Sequence, residues 1–132
     1  MRFEQINNFE KYLYENGVII LKFFLHISKD EQKKRFLKRI DDQSKNWKFS
    51  SSDLKEREFW GDYQKFYAEA ILATNKKHAP WFIIPSDKKW FSRLAVSDII
   101  ISAMEKINPN YPTLPGEQLE GLKKAKTLLE KE

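Results

Sequence analysis

The residues of this chain best suited to chemistry are two arginines four positions apart. Arg35 and Arg39 would lie on one face of a helix, one turn apart. Because each guanidinium can bind two oxygens at once, the pair suits successive groups of a phosphate chain. The alternative is a solvated basic face on which Arg35 pairs with Glu31, and the spacing by itself favours that alternative.

Further candidates surround two predicted helix starts. Lys48, Asp53 and Arg57 flank a loop-to-helix junction. Asp53 is predicted there as an N-cap and as a partner for Arg57. The functional alternative is a mobile flap that carries Lys48 and Arg57 to phosphate. Lys89 and Arg93 lie near the start of a later helix, where cations oppose the helix dipole and so indicate a phosphate or an acidic neighbour.

The scarcity of cysteine, histidine and glycine excludes several kinds of site. The chain has no cysteine, which excludes disulfides, thiolate catalysis and cysteine-ligated zinc. His26 and His78 are far apart in sequence, so no histidine metal site is expected; His26 is assigned to the core and His78 to a surface loop. The four glycines never form the G-x-x-x-x-G-K pattern, so the chain cannot build a phosphate-cradling loop by itself.

The positive charge is concentrated in one segment. Residues 33–48 contain seven cations and two carboxylates, which accounts for the whole formal net charge of +5. An anionic partner is therefore expected at this segment. Most aromatic residues recur at helical core spacing, which argues against a nucleic-acid partner. The N-terminus lacks the apolar region of a signal peptide, and no apolar run is long enough to span a membrane. A cytoplasmic location is expected.

The hydrophobic periodicity predicts a helix-rich α/β chain. The predicted elements are helix 3–15, strand 18–27, helix 29–40, loop 41–52, long helix 53–74, strand 81–84, helix 88–107 and helix 116–131. Ser28 and Glu31 form a capping box for the second helix, and Trp60, Trp81 and Trp90 are assigned to the core. The order strand, crossover, strand implies a right-handed parallel βαβ unit. Because two strands are too few for a free-standing parallel sheet, missing N-terminal strands or another copy of the chain should complete it.

Long ordered motifs resemble the polyphosphate kinase 2 family. They are Gly17-Val18-Ile19-Ile20-Leu21-Lys22-Phe23-Phe24-Leu25-His26-Ile27-Ser28, then Asn46-Trp47-Lys48-Phe49-Ser50 with Asp53, Arg57, Trp60 and Tyr63, and then Ala79-Pro80-Trp81 and Lys88-Lys89-Trp90 with Arg93. The resemblance covers nearly the whole chain and is weakest after residue 108.

The resemblance implies the C-terminal part of a P-loop kinase-like three-layer fold. Residues 1–108 would form that part, with a helical lid at about 29–74, and residues 109–132 would form a linker and a C-terminal helix. The implied activity is phosphoryl transfer between inorganic polyphosphate and an ADP- or AMP-type nucleotide. Mg²⁺ is implied for the complete enzyme, with none held by this chain alone.

The family pattern also implies roles for the candidate residues. Arg35, Arg39, Lys48 and Arg57 would be the lid's phosphate contacts, Lys89 and Arg93 further ones, and Asp53 a nucleotide- or lid-positioning group. The Walker A loop and Walker B aspartate belong upstream of Met1 in this family. No catalytic residue is therefore assigned, the isolated chain is expected to be inactive, and the missing N-terminal half or a homo-oligomer is the expected partner.

Two other kinds of protein fit the same residues. One is a small basic domain that binds polyphosphate or nucleic acid. The other is a non-catalytic fragment that oligomerises through its open sheet edge.

Overall fold

Helices make up most of the computed structural model, which describes residues 1–131. In chain order the elements are α1 (Arg2–Glu15), β1 (Lys22–His26), α2 (Lys29–Asp41), α3 (Ser51–Glu58), α4 (Trp60–Thr74), β2 (Trp81–Pro85), α5 (Lys89–Ile107) and α6 (Gly116–Leu129). A short 3-10 helix, Asn46–Lys48, lies between α2 and α3. The chain divides into a compact unit of residues Met1–Ile100 and a second unit from Ile101 onward. The predicted domain division into 1–108 and 109–132 stays a prediction.

The sheet consists of the two predicted strands. β1 and β2 pair in parallel, with Lys22 opposite Trp81 and His26 opposite Pro85. The crossover between them contains α2, α3 and α4. The predicted parallel βαβ arrangement and the helix-rich α/β class are therefore confirmed. Within residues 1–131, no helix has both the length and the apolar character needed to cross a membrane.

Half of the predicted capping box at the start of α2 is present. The Ser28 hydroxyl accepts a hydrogen bond from the Glu31 amide at 3.1 Å, as the spacing predicts. The Glu31 carboxylate does not return to the Ser28 amide, which donates instead to Asp87 Oδ1 at 2.7 Å. Because a carboxylate after β2 satisfies that amide, Glu31 is left to pair with Arg35.

The long helix predicted for 53–74 is two helices. α3 ends at Glu58 and α4 begins at Trp60, with Phe59 between them. The N-cap of α3 is Ser50, so the prediction that Asp53 caps the helix was wrong. Asp53 lies at the third helical position and accepts from the Ser50 amide at 3.4 Å, which completes a capping box. A break of one residue escapes a search for helical periodicity because the apolar spacing continues through it.

A buried polar cluster joins four elements at the amino ends of the strands. Lys22 Nζ donates to Glu10 Oε2 and to the Thr74 carbonyl, both at 2.7 Å. Its ammonium also lies 5.2 Å from the centroid of the Trp81 ring, and Trp81 Nε1 donates to Thr74 Oγ1 at 2.9 Å. The cluster thus connects α1, β1, the end of α4 and the start of β2.

The apolar core within the described residues is small. Ala79 and Ile84 are the buried apolar side chains there, whereas Leu25 and Ile83 on the strands are 55% and 60% exposed. The nearly continuous apolar run of residues 18–27 predicts a strand buried on both faces, and this prediction was wrong for this chain by itself. The expectations of core burial for His26 and Trp90 were also wrong. His26 is exposed at the carboxyl end of β1, and Trp90 is exposed on α5.

Removing the Lys22 ammonium should destabilise the fold strongly. The side chains of Lys22 and Glu10 are only 12% and 11% exposed, so Lys22→Met leaves a carboxylate and a helix-terminal carbonyl largely buried without a partner. We expect a loss of about 3 kcal/mol in the free energy of unfolding, measured by urea denaturation.

The matched control is Lys11→Met. Lys11 and Glu15 form an exposed pair at 3.6 Å, and its loss should change the free energy of unfolding by less than about 1 kcal/mol. Equal effects of the two substitutions would contradict the structural role of the buried cluster.

Candidate functional site

An open cavity of about 500 Å³ lies at the carboxyl end of β1. Its lining combines the end of that strand with one side of the crossover helices: Phe24, Leu25, His26, Ile27, Gln32, Phe36, Asp53, Glu56, Arg57, Trp60, Tyr63, Gln64 and Tyr67. Ligands of open parallel sheets bind outside the carboxyl ends of the strands. Among the residues predicted from the sequence, Asp53 and Arg57 reach this cavity.

Arg57 connects α3 to the first turn of α2. Its Nη1 donates to the Lys29 carbonyl at 2.8 Å and to Gln32 Oε1 at 2.7 Å, and its guanidinium carbon lies 5.9 Å from the Trp60 ring centroid. The predicted pairing of Arg57 with Asp53 was wrong, because the guanidinium reaches across to α2. Its Nε and Nη2 form no hydrogen bond within residues 1–131, so they keep donors for an anion at the cavity.

Arg35 connects α2 to the segment after β2 by hydrogen bonds. Its Nε donates to Glu31 Oε1 at 2.8 Å, and its Nη2 donates to the carbonyls of Ser86 at 2.6 Å and Asp87 at 3.3 Å. The pairing with Glu31, which the spacing alone favoured, is therefore present. A hydrogen bond from the Ser28 amide, aided by the nearby charge of Arg35, lowers the pKa of Asp87.

Arg39 and Lys48 lie on the far part of the crossover. The guanidinium carbon of Arg39 is 5.8 Å from the Phe36 ring centroid, and Lys48 Nζ is 4.9 Å from that of Trp47. Phe49 packs edge-on against Phe36, with ring centroids 5.8 Å apart. This contact attaches the segment carrying Lys48 to α2. In the part of the chain that the structure describes, neither cation forms an ion pair, so both keep their donors.

The turn after α2 is fixed by one carboxylate. Asp42 accepts hydrogen bonds from the Ser44 amide at 3.1 Å and the Ser44 hydroxyl at 2.6 Å, and it also pairs with Lys45. The Lys45 ammonium, followed by the Ser44 hydroxyl, lowers the pKa of Asp42 from 3.8 to about 2. Asp42 and Lys45 therefore neutralise each other inside the basic segment, and Arg39 and Lys48 are among its cations that form no ion pair within the described residues.

Lys89 and Arg93 do not join the other candidates. Both are exposed on α5 and neither lines the cavity. Across residues 1–131 neither side chain takes part in an ion pair. Their predicted contact with phosphate stays a prediction.

Sequence reasoning missed an aromatic wall of the cavity. The ring centroids of Phe24 and Tyr67 are 5.0 Å apart, and those of Tyr67 and Tyr63 are 6.0 Å apart. Tyr63 donates its hydroxyl to Glu56 Oε2 at 2.5 Å, and that hydrogen bond raises the pKa of Tyr63. The helical spacing of these tyrosines predicted core packing. The signal for a site was their hydroxyl groups, which an apolar core does not need.

The described residues do not fit a magnesium site by themselves. Asp53 and Glu56 are the carboxylates at the cavity, and each already accepts a hydrogen bond from the protein. No group of three or more histidine, aspartate or glutamate side chains suited to a metal ion occurs in residues 1–131. The chemistry open to these residues is binding and charge neutralisation of an anion by Arg39, Lys48 and Arg57.

One protein-family model matches most of the chain. The model of the family described as Polyphosphate kinase 2 matches residues 1–112. An uncharacterized protein in the chlN 3' region of Leptolyngbya boryana is 53% identical over 131 residues, covering 99% of this chain and 96% of that protein. An ADP-polyphosphate phosphotransferase of Rhodopseudomonas palustris is 46% identical over 129 residues, covering 97% of this chain and 45% of the relative.

A solved structure shares the fold. The crystal structure of Polyphosphate Kinase 2 from Arthrobacter aurescens TC1 superposes with a TM-score of 0.83 at 41% sequence identity, covering 92% of this chain and 44% of that one. The likeness confirms the expected class, part of a P-loop kinase-like fold. The chain is nearly as long as the Leptolyngbya protein but spans less than half of the Rhodopseudomonas relative and of the solved structure.

The Asp42 turn should show a distinct titration. The lowered pKa means that the interactions of Asp42 stabilise the folded state above about pH 3.8 and are lost as the pH falls through about 2. Carboxyl carbon NMR should give Asp42 a pKa of about 2. Lys45→Met should raise it towards its ordinary value, whereas Lys55→Met, on exposed α3, should leave it unchanged. An ordinary pKa in the unmodified chain would contradict the described turn.

Proposed function

The chain belongs to the polyphosphate kinase 2 family, and we propose that it supplies the phosphate-binding lid of a polyphosphate:nucleotide phosphotransferase. The proposed reaction moves a phosphoryl group between inorganic polyphosphate and a nucleoside mono- or diphosphate. The names of relatives support this choice, since one is an ADP-polyphosphate phosphotransferase and another, from Meiothermus ruber, is an AMP/ADP-polyphosphate phosphotransferase. The observation that carries the proposal is that Arg39 and Lys48 have no ion-pair partner within the described residues and that Arg57 has unused donors at the cavity.

The proposed role of these cations follows from the chemistry of phosphoryl transfer. Enzymes catalyse that transfer mainly by positioning the reactants and by neutralising charge on the phosphoryl oxygens. Arg39 and Lys48 would hold the polyphosphate chain, and the unused donors of Arg57 would bind phosphate at the cavity. Arg35 would act as a positioning residue, because its donors already hold α2 against the segment after β2.

Asp53 is proposed to position the lid. Its carboxylate accepts from the Ser50 amide and so fixes the start of α3, one turn before Arg57. A helix start with a completed capping box keeps its first turn in one conformation. The guanidinium of Arg57 is thereby held at the cavity edge.

The remaining parts of the site are proposed to come from outside these residues. The chain has no glycine-rich phosphate loop, and its described carboxylates do not gather into a metal site. A glycine-rich loop and a Mg²⁺ site would be supplied by the rest of a complete enzyme, or by a partner chain, whose apolar residues would cover the exposed strand residues Leu25 and Ile83. Mg²⁺ bound there would neutralise phosphate charge during transfer.

A second candidate function is a non-catalytic oligomerisation module. It is favoured by the two-stranded sheet, which has open edges, and by the exposure of Leu25 and Ile83. Open strand edges are templates for pairing with another chain. This module would not need to bind polyphosphate, so the two functions are separable by a binding measurement.

Polyphosphate binding should depend on Arg39 and Lys48, which form no ion pair within the described residues. We expect Arg39→Ala combined with Lys48→Ala to weaken binding of inorganic polyphosphate about tenfold, since two charge-assisted contacts are lost. Binding is measured by isothermal titration calorimetry at two salt concentrations, and the unmodified chain should bind less tightly at the higher one.

The matched control removes two cations elsewhere. Lys123→Ala with Lys124→Ala, on α6, changes the net charge equally and should alter binding less than twofold. Equal weakening by both pairs of substitutions would mean that net charge alone determines polyphosphate binding. Absence of polyphosphate binding to the unmodified chain would favour the oligomerisation module.

Phosphoryl transfer should require more than this chain. We expect the isolated protein to form no ATP from ADP, inorganic polyphosphate and Mg²⁺, because its sequence contains no glycine-rich loop to cradle the transferred phosphate. A luciferase assay measures ATP directly, with a complete polyphosphate kinase as the positive control. Sustained ATP formation that Arg57→Ala abolishes would contradict the proposed incompleteness.

A further inference from the structure

The aromatic wall of the cavity is open to a ligand. Tyr63 and Tyr67 are 40% and 45% exposed, and together with Phe24 they form a row of rings with centroids 6.0 Å and 5.0 Å apart. Stacking on an aromatic ring is available to every nucleobase, because each base has a π-face. The wall therefore suits a flat heteroaromatic ring.

Two amides stand at the same cavity. Gln32 and Gln64 both line it and both are half-buried. Gln32 Oε1 accepts from Arg57 at 2.7 Å, which fixes the amide and leaves its NH₂ group as a donor. The side chain of Gln64 forms no hydrogen bond within residues 1–131, so it keeps both a donor and an acceptor. A glutamine amide matches the donor and acceptor on the edge of adenine.

The size and position of the cavity agree with this chemistry. Its volume of about 500 Å³ lies within the range of roughly 300 to 1,000 Å³ typical of small-molecule sites. Arg57 stands at the same cavity with two donor groups unused, so a phosphate attached to the stacked ring can reach a cation. Tyr63 is held in its orientation by the hydrogen bond to Glu56.

We propose that this cavity binds the purine base of the nucleotide substrate, stacked on Tyr67 and Tyr63, with the phosphates directed to Arg57. The inference rests on the proposed function, since it assigns the nucleotide of that reaction to a place in this chain. It adds that the chain determines which nucleotide binds, through the amides of Gln32 and Gln64, as well as holding phosphate.

The test compares a nucleotide with the same phosphate lacking its base. Calorimetry with AMP and with ribose 5-phosphate should show about tenfold tighter binding of AMP to the unmodified chain, the contribution of one stacked base. Tyr67→Leu removes the ring at similar volume and should abolish that difference. The matched control is Tyr111→Leu, a fully solvated tyrosine outside the cavity, which should preserve it.

Folding and function are separated by further measurements. Far-UV circular dichroism establishes that Tyr67→Leu is folded, and Gln64→Leu gives a second variant that should reduce the preference for AMP without touching the wall. Equal binding of AMP and ribose 5-phosphate by the unmodified chain would overturn the inference, and so would an unchanged preference in folded Tyr67→Leu.

A parallel titration with inorganic polyphosphate identifies which idea has failed. Base-dependent AMP binding without polyphosphate binding would keep the base site and reject the proposed phosphate-binding lid. Polyphosphate binding without base-dependent AMP binding would reject the base site alone.

Discussion

A single ammonium group fixes the geometry on which the candidate site depends. Lys22 begins β1, and its Nζ binds both the Glu10 carboxylate and the terminal carbonyl of α4 at Thr74. A cation at a helix C-terminus is favourable because the unsatisfied carbonyls there carry partial negative charge. The last helix of the crossover is thereby held against the first strand of the sheet. This alignment places Tyr67 of α4 beside Phe24 of β1, so the cavity at one end of the strands is set by a contact at the other.

At the carboxyl ends of the strands, arginine side chains and backbone groups connect the sheet to α2 and α3. Arg35 binds carbonyls after β2, Asp87 binds the amide that precedes α2, and Arg57 binds a carbonyl in the first turn of that helix. The first turn of α2 is therefore tied to both neighbouring segments. Its far end, which carries Arg39, is attached to the following segment mainly by the contact between Phe36 and Phe49.

The sequence predicts most helix ends well because those depend on local signals, and it predicts the parallel pairing from the order strand, crossover, strand. A nearly continuous apolar run marks the first strand, and Ser28 marks the start of α2. The one-residue break at Phe59 has no such signal, since Trp60 continues the apolar spacing. The sequence also could not predict that Glu31 makes no hydrogen bond to the Ser28 amide. Asp87 accepts from that amide instead, and Asp87 lies far away in sequence.

The sequence likewise identified some of the side chains at the candidate site and missed others. The candidate cations were found from residue type, spacing and the family resemblance. In the structure Arg35 binds carbonyls after β2 and Arg57 binds α2, whereas Arg39 and Lys48 form no ion pair within the described residues. Tyr63 and Tyr67 were assigned to the core because helical spacing reports which face of a helix is apolar. Spacing does not report whether another element covers that face, and here the cavity is open.

The interruption at Phe59 has a mechanical consequence. With eight residues, α3 is a rod of about 12 Å, and it is joined to α4 through one non-helical residue. A rotation of about 20° there would carry the far end of that rod through about 4 Å by simple leverage. The hydrogen bonds from Arg57 to α2 and the hydrogen bond from Tyr63 to Glu56 both hold α3 in place. Because Arg57, Glu56 and Tyr63 all line the cavity, the side chains that fix this short helix are the same ones that a bound ligand would meet.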